Sequence, residues 1–182
     1  MQTIPIFAFS AWSGTGKTTI LEQLIVLLKQ RGLRIAVLKH DAHDFEIDRE
    51  GKDSWRFSHA GADITVISSS QKTALIEQRS LSVSDILSRI HDVDLLLAEG
   101  YNDLAADACD LVADASNPAA DVSYRLYRIG ISRAATKRGL RAPAQDCIAV
   151  MTDDPDLALP SGTRRFNLQD ISGLADLIMK LL

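Results

Sequence analysis

Several features that mark large classes of protein are scarce in this 182-residue chain. It has two cysteines, Cys109 and Cys147, without C-x-x-C spacing. This argues against zinc ribbons and iron–sulfur sites and fits a reducing cytosol. No apolar run approaches the roughly 18 residues of a membrane span, and residues 1–3 have no basic n-region. We therefore expect neither a membrane anchor nor a secretory signal.

Positive charge is not in excess either. The chain has 20 Lys and Arg against 24 Asp and Glu, a net charge of −4. Nucleic-acid-binding proteins usually carry a basic excess or a basic face. We expect no nucleic-acid or membrane partner and a cytoplasmic location. The length predicts one domain, residues 1–182, with a sizeable buried core, and no repeat or low-complexity linker divides it.

What the chain does have is a glycine-rich segment, SAWSGTGKTT, at residues 10–19. It follows an apolar run and precedes a helical apolar pattern, which is the context of a phosphate-binding loop. Gly14 and Gly16 let backbone N–H groups approach phosphate oxygens, and the following helix directs its positive end there. Lys17 can reach the β- and γ-phosphates, and the Thr18 hydroxyl can bind Mg²⁺.

The alternative is a glycine-rich loop without a ligand. Ala11 stands where the pattern usually has glycine, and its methyl group is tolerable if φ stays negative. Because the flanking elements match, we assign the loop to phosphate binding. The assigned residues are Ser13, Gly14, Thr15, Gly16, Lys17, Thr18 and Thr19.

Apolar patterning predicts an α/β fold around this loop. A β-α-β start favours a right-handed crossover and a mostly parallel sheet, with helices on both faces. A hairpin over 63–78 is the candidate for a sheet edge. Buried strands are predicted over 4–10, 34–39, 93–98 and 147–152, with weaker strand signals at 111–113 and 126–131. Helices are predicted over 18–31, from a cap at Asp53 or Ser54 to Ala60, over 82–91, and over 171–182 with Asp170 as cap.

Glu99 follows the predicted strand 93–98. A carboxylate there can hold Mg²⁺ directly or through water in a phosphate-loop protein. The alternative is a solvated strand end. Asp94, at the start of the same strand, is expected to be a strand-end residue rather than a ligand.

Polar and charged side chains dominate residues 40–54, directly after the strand at 34–39. In open α/β sheets ligands bind at the carboxyl ends of strands, so this segment is expected to face phosphates, Mg²⁺ or a second substrate. A solvated loop and a transition-metal site remain alternatives, although the histidine spacing matches zinc signatures only loosely. The candidates are Lys39, His40, Asp41, His43, Asp44 and Lys52.

Two further groups have open interpretations. Asp153 follows the last predicted strand, where a carboxylate can accept hydrogen bonds from guanine N1–H and N2–H₂. Alternatively, Asp153 and Asp154 only form a turn with Pro155. A basic cluster without intervening acids is either a solvated face or a site for an anionic ligand or acidic partner. Its members are Arg125, Arg128, Arg133, Lys137, Arg138 and Arg141.

Taken together, these residues resemble the molybdopterin-guanine dinucleotide biosynthesis protein B family. The resemblance covers most of the chain except roughly 102–145. The string from Lys39 to Ser54 is far more specific than the phosphate loop alone. The matching segments are SAWSGTGKTT, LKHDAHDFEIDREGKDSWRFSHAGAD, DLLLAEGY, IAVMTDD and DISGLADLI.

The resemblance implies a P-loop GTP-binding protein with weak, Mg²⁺-dependent GTPase activity. It also implies a homodimer that works beside the molybdenum cofactor guanylyltransferase, which attaches GMP to a molybdopterin intermediate. By the same resemblance Glu99 lies near the metal and Asp153 contacts guanine. Residues lining the site would be Lys39, His40, His43, Asp44 and Lys52. For catalysis the candidates are Lys17, with Asp44 and Glu99 for positioning water.

The sequence departs from the family at three places. Ala11 replaces a glycine, Asp41 adds a charge, and an Ala/Asp-rich stretch follows Tyr101, where contacts to pterin or partner are in doubt. Two other functions remain open. One is a small-molecule kinase that uses the Asp/His cluster as general base. The other is a non-catalytic adaptor whose nucleotide only orders loops for the guanylyltransferase.

Overall fold

The computed structural model describes residues 2–41, 44–101 and 122–182, with only the backbone for Gln2 and Val122. The chain divides into two compact units. The first contains Met1–His40 and Leu87–Leu182, and the second contains Asp41–Ile86. A single-domain organisation stays a prediction.

The chain forms eight strands and four α-helices within the described residues. In chain order they are β1 (Gln2–Ala11), α1 (Lys17–Gln30), β2 (Ile35–Lys39), α2 (Asp53–His59), β3 (Ile64–Ser68), β4 (Thr73–Glu77), α3 (Val83–Leu87), β5 (Leu95–Glu99), β6 (Val122–Ser132), β7 (Ala149–Thr152), β8 (Arg164–Phe166) and α4 (Ile171–Met179). Six strands form one sheet in the order β2-β5-β1-β6-β7-β8. Every pairing in it is parallel.

The core is built around β1, which lies between β5 and β6. Phe7 is fully buried and pairs in register with Leu97 and Tyr127. One face of the sheet packs against α1 and α4, which bring Leu24 and Leu174 into the same apolar cluster. Each such buried side chain contributes about 1.5–3 kcal/mol to stability.

Leu87, which belongs to the first unit, contacts β6 through Tyr124. The Tyr124 hydroxyl donates to the carbonyl oxygen of Leu87 at 2.8 Å, and burial raises the pKa of this tyrosine. The described residues thus form a parallel six-stranded sheet packed with helices. The predicted α/β fold class is confirmed.

Polar residues explain where the predicted boundaries were wrong. The strand predicted at 126–131 is longer in the structure, where β6 spans Val122–Ser132. The prediction was too short because Arg125 and Arg128 interrupt the apolar pattern of the strand. The pattern missed β8, a three-residue edge strand with two exposed arginines. Residues 111–113 lie outside the described residues. In α4 the Asp170 side chain accepts the Gly173 N–H at 2.9 Å, so the predicted cap is confirmed.

The second unit contains the predicted hairpin. Strands β3 and β4 pair antiparallel, but they form a sheet of their own, so the edge position in the main sheet is wrong. The N-cap of α2 is Lys52, without a side-chain hydrogen bond, rather than Asp53 or Ser54. The helix predicted over 82–91 ends at Leu87. None of the helices in the described part of the chain has the length and apolar character needed to cross a bilayer.

Candidate functional site

The glycine-rich loop joins β1 to α1, as the sequence predicts. Gly14 has φ 81° and Gly16 has φ 86°, values that glycine adopts without strain. The buried Thr15 side chain donates to the Trp12 carbonyl oxygen at 2.9 Å and braces the turn. Ala11 ends β1 and has no positive φ, so its methyl group is compatible with the loop.

Lys17 and Thr18, at the start of α1, both contact Glu99. The Lys17 Nζ atom lies 3.6 Å from Glu99 Oε1, and the Thr18 hydroxyl donates to the same oxygen at 3.3 Å. The contact follows from topology, because parallel pairing of Phe9 with Glu99 places the end of β5 beside the loop. The side chains of Lys17 and Glu99 are only 17% and 14% exposed.

The donor set around Thr18 suits a hard cation. Hydroxyl and carboxylate oxygens are the ligands that Mg²⁺ prefers, and adjacent oxygens of an octahedral Mg²⁺ lie about 3 Å apart. The Thr18–Glu99 oxygen separation is close to this value. The chemistry of these residues therefore fits Mg²⁺.

No group of three or more His, Cys, Asp or Glu side chains arranged to hold a metal ion occurs among residues 2–41, 44–101 and 122–182. His43 lies outside the described residues. The transition-metal alternative for the segment after β2 is therefore untested.

His40 and Gly100 fix the backbone around Glu99. The His40 N–H donates to the Glu99 carbonyl oxygen at 2.8 Å, and Lys39 pairs with Glu99 across the ladder. Gly100 has φ 88°, and a Cβ atom there would lie 2.8 Å from the His40 carbonyl oxygen. The His40 and Tyr101 rings have centroids 5.1 Å apart, and burial raises the pKa of the Tyr101 phenol.

Asp44 and Lys52 belong to the second unit. Asp44 is exposed. Lys52 lines a cavity of about 750 Å³ within that unit, together with Phe57 and Lys72. The roles of Asp44 and Lys52 at a nucleotide stay predictions.

Asp153 lines a cavity of about 420 Å³ beside the phosphate loop. Its Oδ1 atom accepts the Ala134 N–H at 2.7 Å, which orients the carboxylate. The neighbouring Asp154 forms the turn, because its N–H donates to Thr152 Oγ1 and its Oδ1 accepts the Asp156 N–H, both at 3.0 Å. The lining residues are Gly16, Thr19, Ile20, Gln23, Arg133, Asp153, Asn167, Leu168 and Gln169.

Sequence reasoning did not place Arg133, Asn167 or Gln169 at this site. The Arg133 Nε–H donates to the Thr15 carbonyl oxygen at 3.2 Å, and a Cβ on Gly16 would lie 3.1 Å from the guanidinium. The available signal for Arg133 was its position in the basic cluster. Asn167 and Gln169 follow the short strand β8, and no sequence motif marked them as binding residues.

Comparison with known proteins agrees with this geometry. The family model described as Molybdopterin guanine dinucleotide synthesis protein B matches residues 6–125. The chain belongs to this family. It is 34% identical to the molybdopterin-guanine dinucleotide biosynthesis adapter protein of Escherichia coli (strain K12), over 97% of this chain and 93% of that protein. The Haemophilus influenzae adapter protein is 39% identical over 54% of this chain and 57% of its own length.

Solved structures of the family share the fold. The crystal structure of Bacillus subtilis MobB superposes with a TM-score of 0.67 over 98% of each chain, at 22% identity. The predicted P-loop NTPase-type α/β fold and the predicted family are both confirmed.

Proposed function

We propose that this MobB-family protein binds Mg·GTP at its phosphate loop and hydrolyses it slowly. It would act as a nucleotide-dependent adapter in forming the guanine dinucleotide of the molybdenum cofactor. The observation that carries the proposal is the joint contact of Lys17 and Thr18 with Glu99 at the start of α1. The adapter role is supported by the names of the relatives.

The chemistry of the loop favours a polyphosphate ligand. Backbone N–H groups around Gly14 and Gly16 and the amino end of α1 provide partial positive charge. Lys17 adds a full charge, and its partial burial strengthens its interaction with an anion. When bound, Mg²⁺ would neutralise charge on the β- and γ-phosphates. Thr18 and Glu99 are the side chains that would hold it.

Guanine is the base that suits Asp153. A carboxylate only accepts hydrogen bonds, and guanine offers the N1–H and N2–H₂ donors that adenine lacks. The Ala134 N–H orients this carboxylate at the border of the cavity, while the turn is formed by Asp154. A site with fixed acceptors discriminates against a base that leaves them unpaired.

The partners form the rest of the proposal. They are the molybdenum cofactor guanylyltransferase, a molybdopterin intermediate and a second copy of this chain, in the cytoplasm. The names of the relatives place those proteins in molybdopterin-guanine dinucleotide biosynthesis, which supports the first two partners. The homodimer rests on the family resemblance alone.

Calorimetric titration with GTP and then ATP, each with Mg²⁺, tests the nucleotide part. We expect GTP to bind at least ten-fold more tightly, a difference of about 1.4 kcal/mol. Lys17→Ala should abolish tight GTP binding, and unchanged affinity would refute the phosphate-loop assignment. Equal binding, or a preference for ATP, would contradict the guanine argument.

Product analysis separates the functional alternatives. Slow release of inorganic phosphate is expected for a weak GTPase, whereas a phosphorylated acceptor would identify a kinase. Tight GTP binding with negligible turnover, and nucleotide-dependent capture of the guanylyltransferase, would identify a non-catalytic adaptor.

A further inference from the structure

The phosphate loop carries an aromatic side chain that two arginines cover. Trp12 lies in the loop, and its ring centroid is 5.7 Å from Arg138 Cζ and 5.3 Å from Arg141 Cζ. Guanidinium groups at such distances interact favourably with the indole face. Two members of the basic cluster identified in the sequence, Arg138 and Arg141, therefore reach the phosphate loop at Trp12.

Local packing holds the arginine-bearing segment in place. Leu140 packs against Gly130 of β6, where an added Cβ would lie 2.9 Å from the leucine Cδ2 atom. The Thr136 hydroxyl donates to the carbonyl oxygen at residue 133 at 2.8 Å and closes the turn that leads into the segment. Arg138 and Arg141 lie on either side of the anchored Leu140 in the sequence, so this packing positions both of them at the Trp12 ring.

The positive charge at this place has little compensation. In the described part of the chain no carboxylate pairs with Arg133, Arg138 or Arg141, and the acid beside Lys17 is Glu99. The chain as a whole has a net charge of −4, so the cationic group is a local concentration. Arg138 and Arg141 lie 5.7 and 5.3 Å from the same ring centroid, and a bound anion would offset the repulsion between them. Guanidinium groups bind phosphate oxygens in bidentate geometry.

Trp12 provides a second, independent observation. Its Nε1 atom is buried and has no acceptor within the described part of the chain. A buried donor without an acceptor is unfavourable. Beside the two arginines, therefore, one buried polar group of Trp12 is unsatisfied.

We propose that Trp12, Arg138 and Arg141 form a polyphosphate-sensing site. A nucleoside polyphosphate on the loop draws at least one guanidinium from the indole onto its phosphate oxygens, and Trp12 reports the change. This inference rests on the proposed binding of GTP. It adds two arginines supplied by the same chain to the phosphate-binding residues.

The first test is the affinity for Mg·GTP of the double variant Arg138→Met and Arg141→Met. Both arginines are exposed and methionine keeps an apolar contact with Trp12, so folding should be preserved. We expect the dissociation constant to rise at least ten-fold. Arg125→Met is the control, because it removes an exposed arginine near the amino end of β6, far along the strand from the loop. This variant should leave the dissociation constant for Mg·GTP unchanged.

The second test uses the fluorescence of Trp12. The chain has two tryptophans, so Trp55→Phe leaves Trp12 as the only one. We expect Mg·GTP to change the emission of this variant, and the change to fall by more than half when both arginines are replaced. If Trp55→Phe does not fold, the calorimetric test still decides, because it uses proteins that keep Trp55.

The outcomes separate this inference from the proposed function. If the wild type binds GTP and the double variant binds it within two-fold, the inference is wrong and the proposed function stands. If the wild type does not bind GTP, the proposed function fails, and Mg·tripolyphosphate becomes the probe. Ten-fold weaker tripolyphosphate binding by the double variant would then still support a polyphosphate site, and equal or absent binding would overturn it.

Discussion

The Thr18 hydroxyl donates to Glu99 Oε1 at 3.3 Å, although the two residues lie 81 positions apart in the sequence. Parallel pairing of β1 with β5 brings the two residues together, since β1 leads into the loop before Thr18 and β5 ends at Glu99. The same carboxylate oxygen lies 3.6 Å from Lys17 Nζ. We therefore propose two separable functions for Glu99, holding Mg²⁺ and positioning the lysine.

Glu99→Gln tests the Mg²⁺ function. The amide has a similar shape but no charge, so we expect GTP binding in excess Mg²⁺ to weaken about ten-fold or more. For this variant, the ratio of the GTP affinity with Mg²⁺ to the GTP affinity without Mg²⁺, measured by calorimetry, should fall toward one. Glu22→Gln, on an exposed position of α1, should retain the wild-type ratio. A retained ratio in Glu99→Gln would show that Glu99 only positions Lys17.

Asp153→Asn tests the proposed recognition of guanine by Asp153. The amide oxygen can still accept the Ala134 N–H, while its NH₂ group becomes a donor. Xanthine has a carbonyl where guanine has N2–H₂, so we expect GTP affinity to fall at least ten-fold, about 1.4 kcal/mol, and xanthosine triphosphate affinity to rise. Asp154→Asn is the matched control, because that residue forms the turn. Equal losses in both variants would argue for a purely structural role.

The phosphate loop could be predicted because its chemistry is local. The glycines, Lys17 and Thr18 lie at a fixed spacing within a few consecutive residues. The apolar pattern identifies the strand before them and the helix that begins at Lys17. Glu99 was also predictable, since it follows a continuous buried strand. The β1–β5 register then explains the contact.

The rest of the site depends on neighbours that the local sequence does not specify. Arg133 reaches Thr15 because β6 pairs with β1, and this pairing cannot be read from the interrupted pattern of β6. Asn167 reaches the cavity directly after a three-residue edge strand, which is too short to show a period. The hairpin of β3 and β4 was predicted, but nothing in its sequence specified that, among the described strands, the two pair only with each other.

Gly100→Ala tests the connection between β5 and the site. Gly100 has φ 88°, and an alanine Cβ would lie 2.8 Å from the His40 carbonyl oxygen. Gly32 has a similar φ of 84° with nothing within 4 Å, so Gly32→Ala measures the conformational cost alone, about 1–2 kcal/mol. We expect Gly100→Ala to lose about 1 kcal/mol more in denaturant unfolding and to weaken GTP binding. Equal losses would show that the backbone at His40 moves aside freely.

Cys147 gives stability a dependence on alkaline pH. Burial raises the pKa of this thiol, with Arg128 opposing the shift. The folded-state pKa lies above the unfolded-state value, so the stabilising contribution is complete below the unfolded pKa and is lost as pH rises through the folded one. In a Cys109→Ser background, the free energy of unfolding should fall as the pH rises above about 8.5, the ordinary pKa of a cysteine. Tyr101 and Tyr124 also have raised pKa values and act in the same direction. The decisive measurement is therefore the difference in slope when Cys147→Ala is added, and identical slopes would show that the thiol ionises alike in both states.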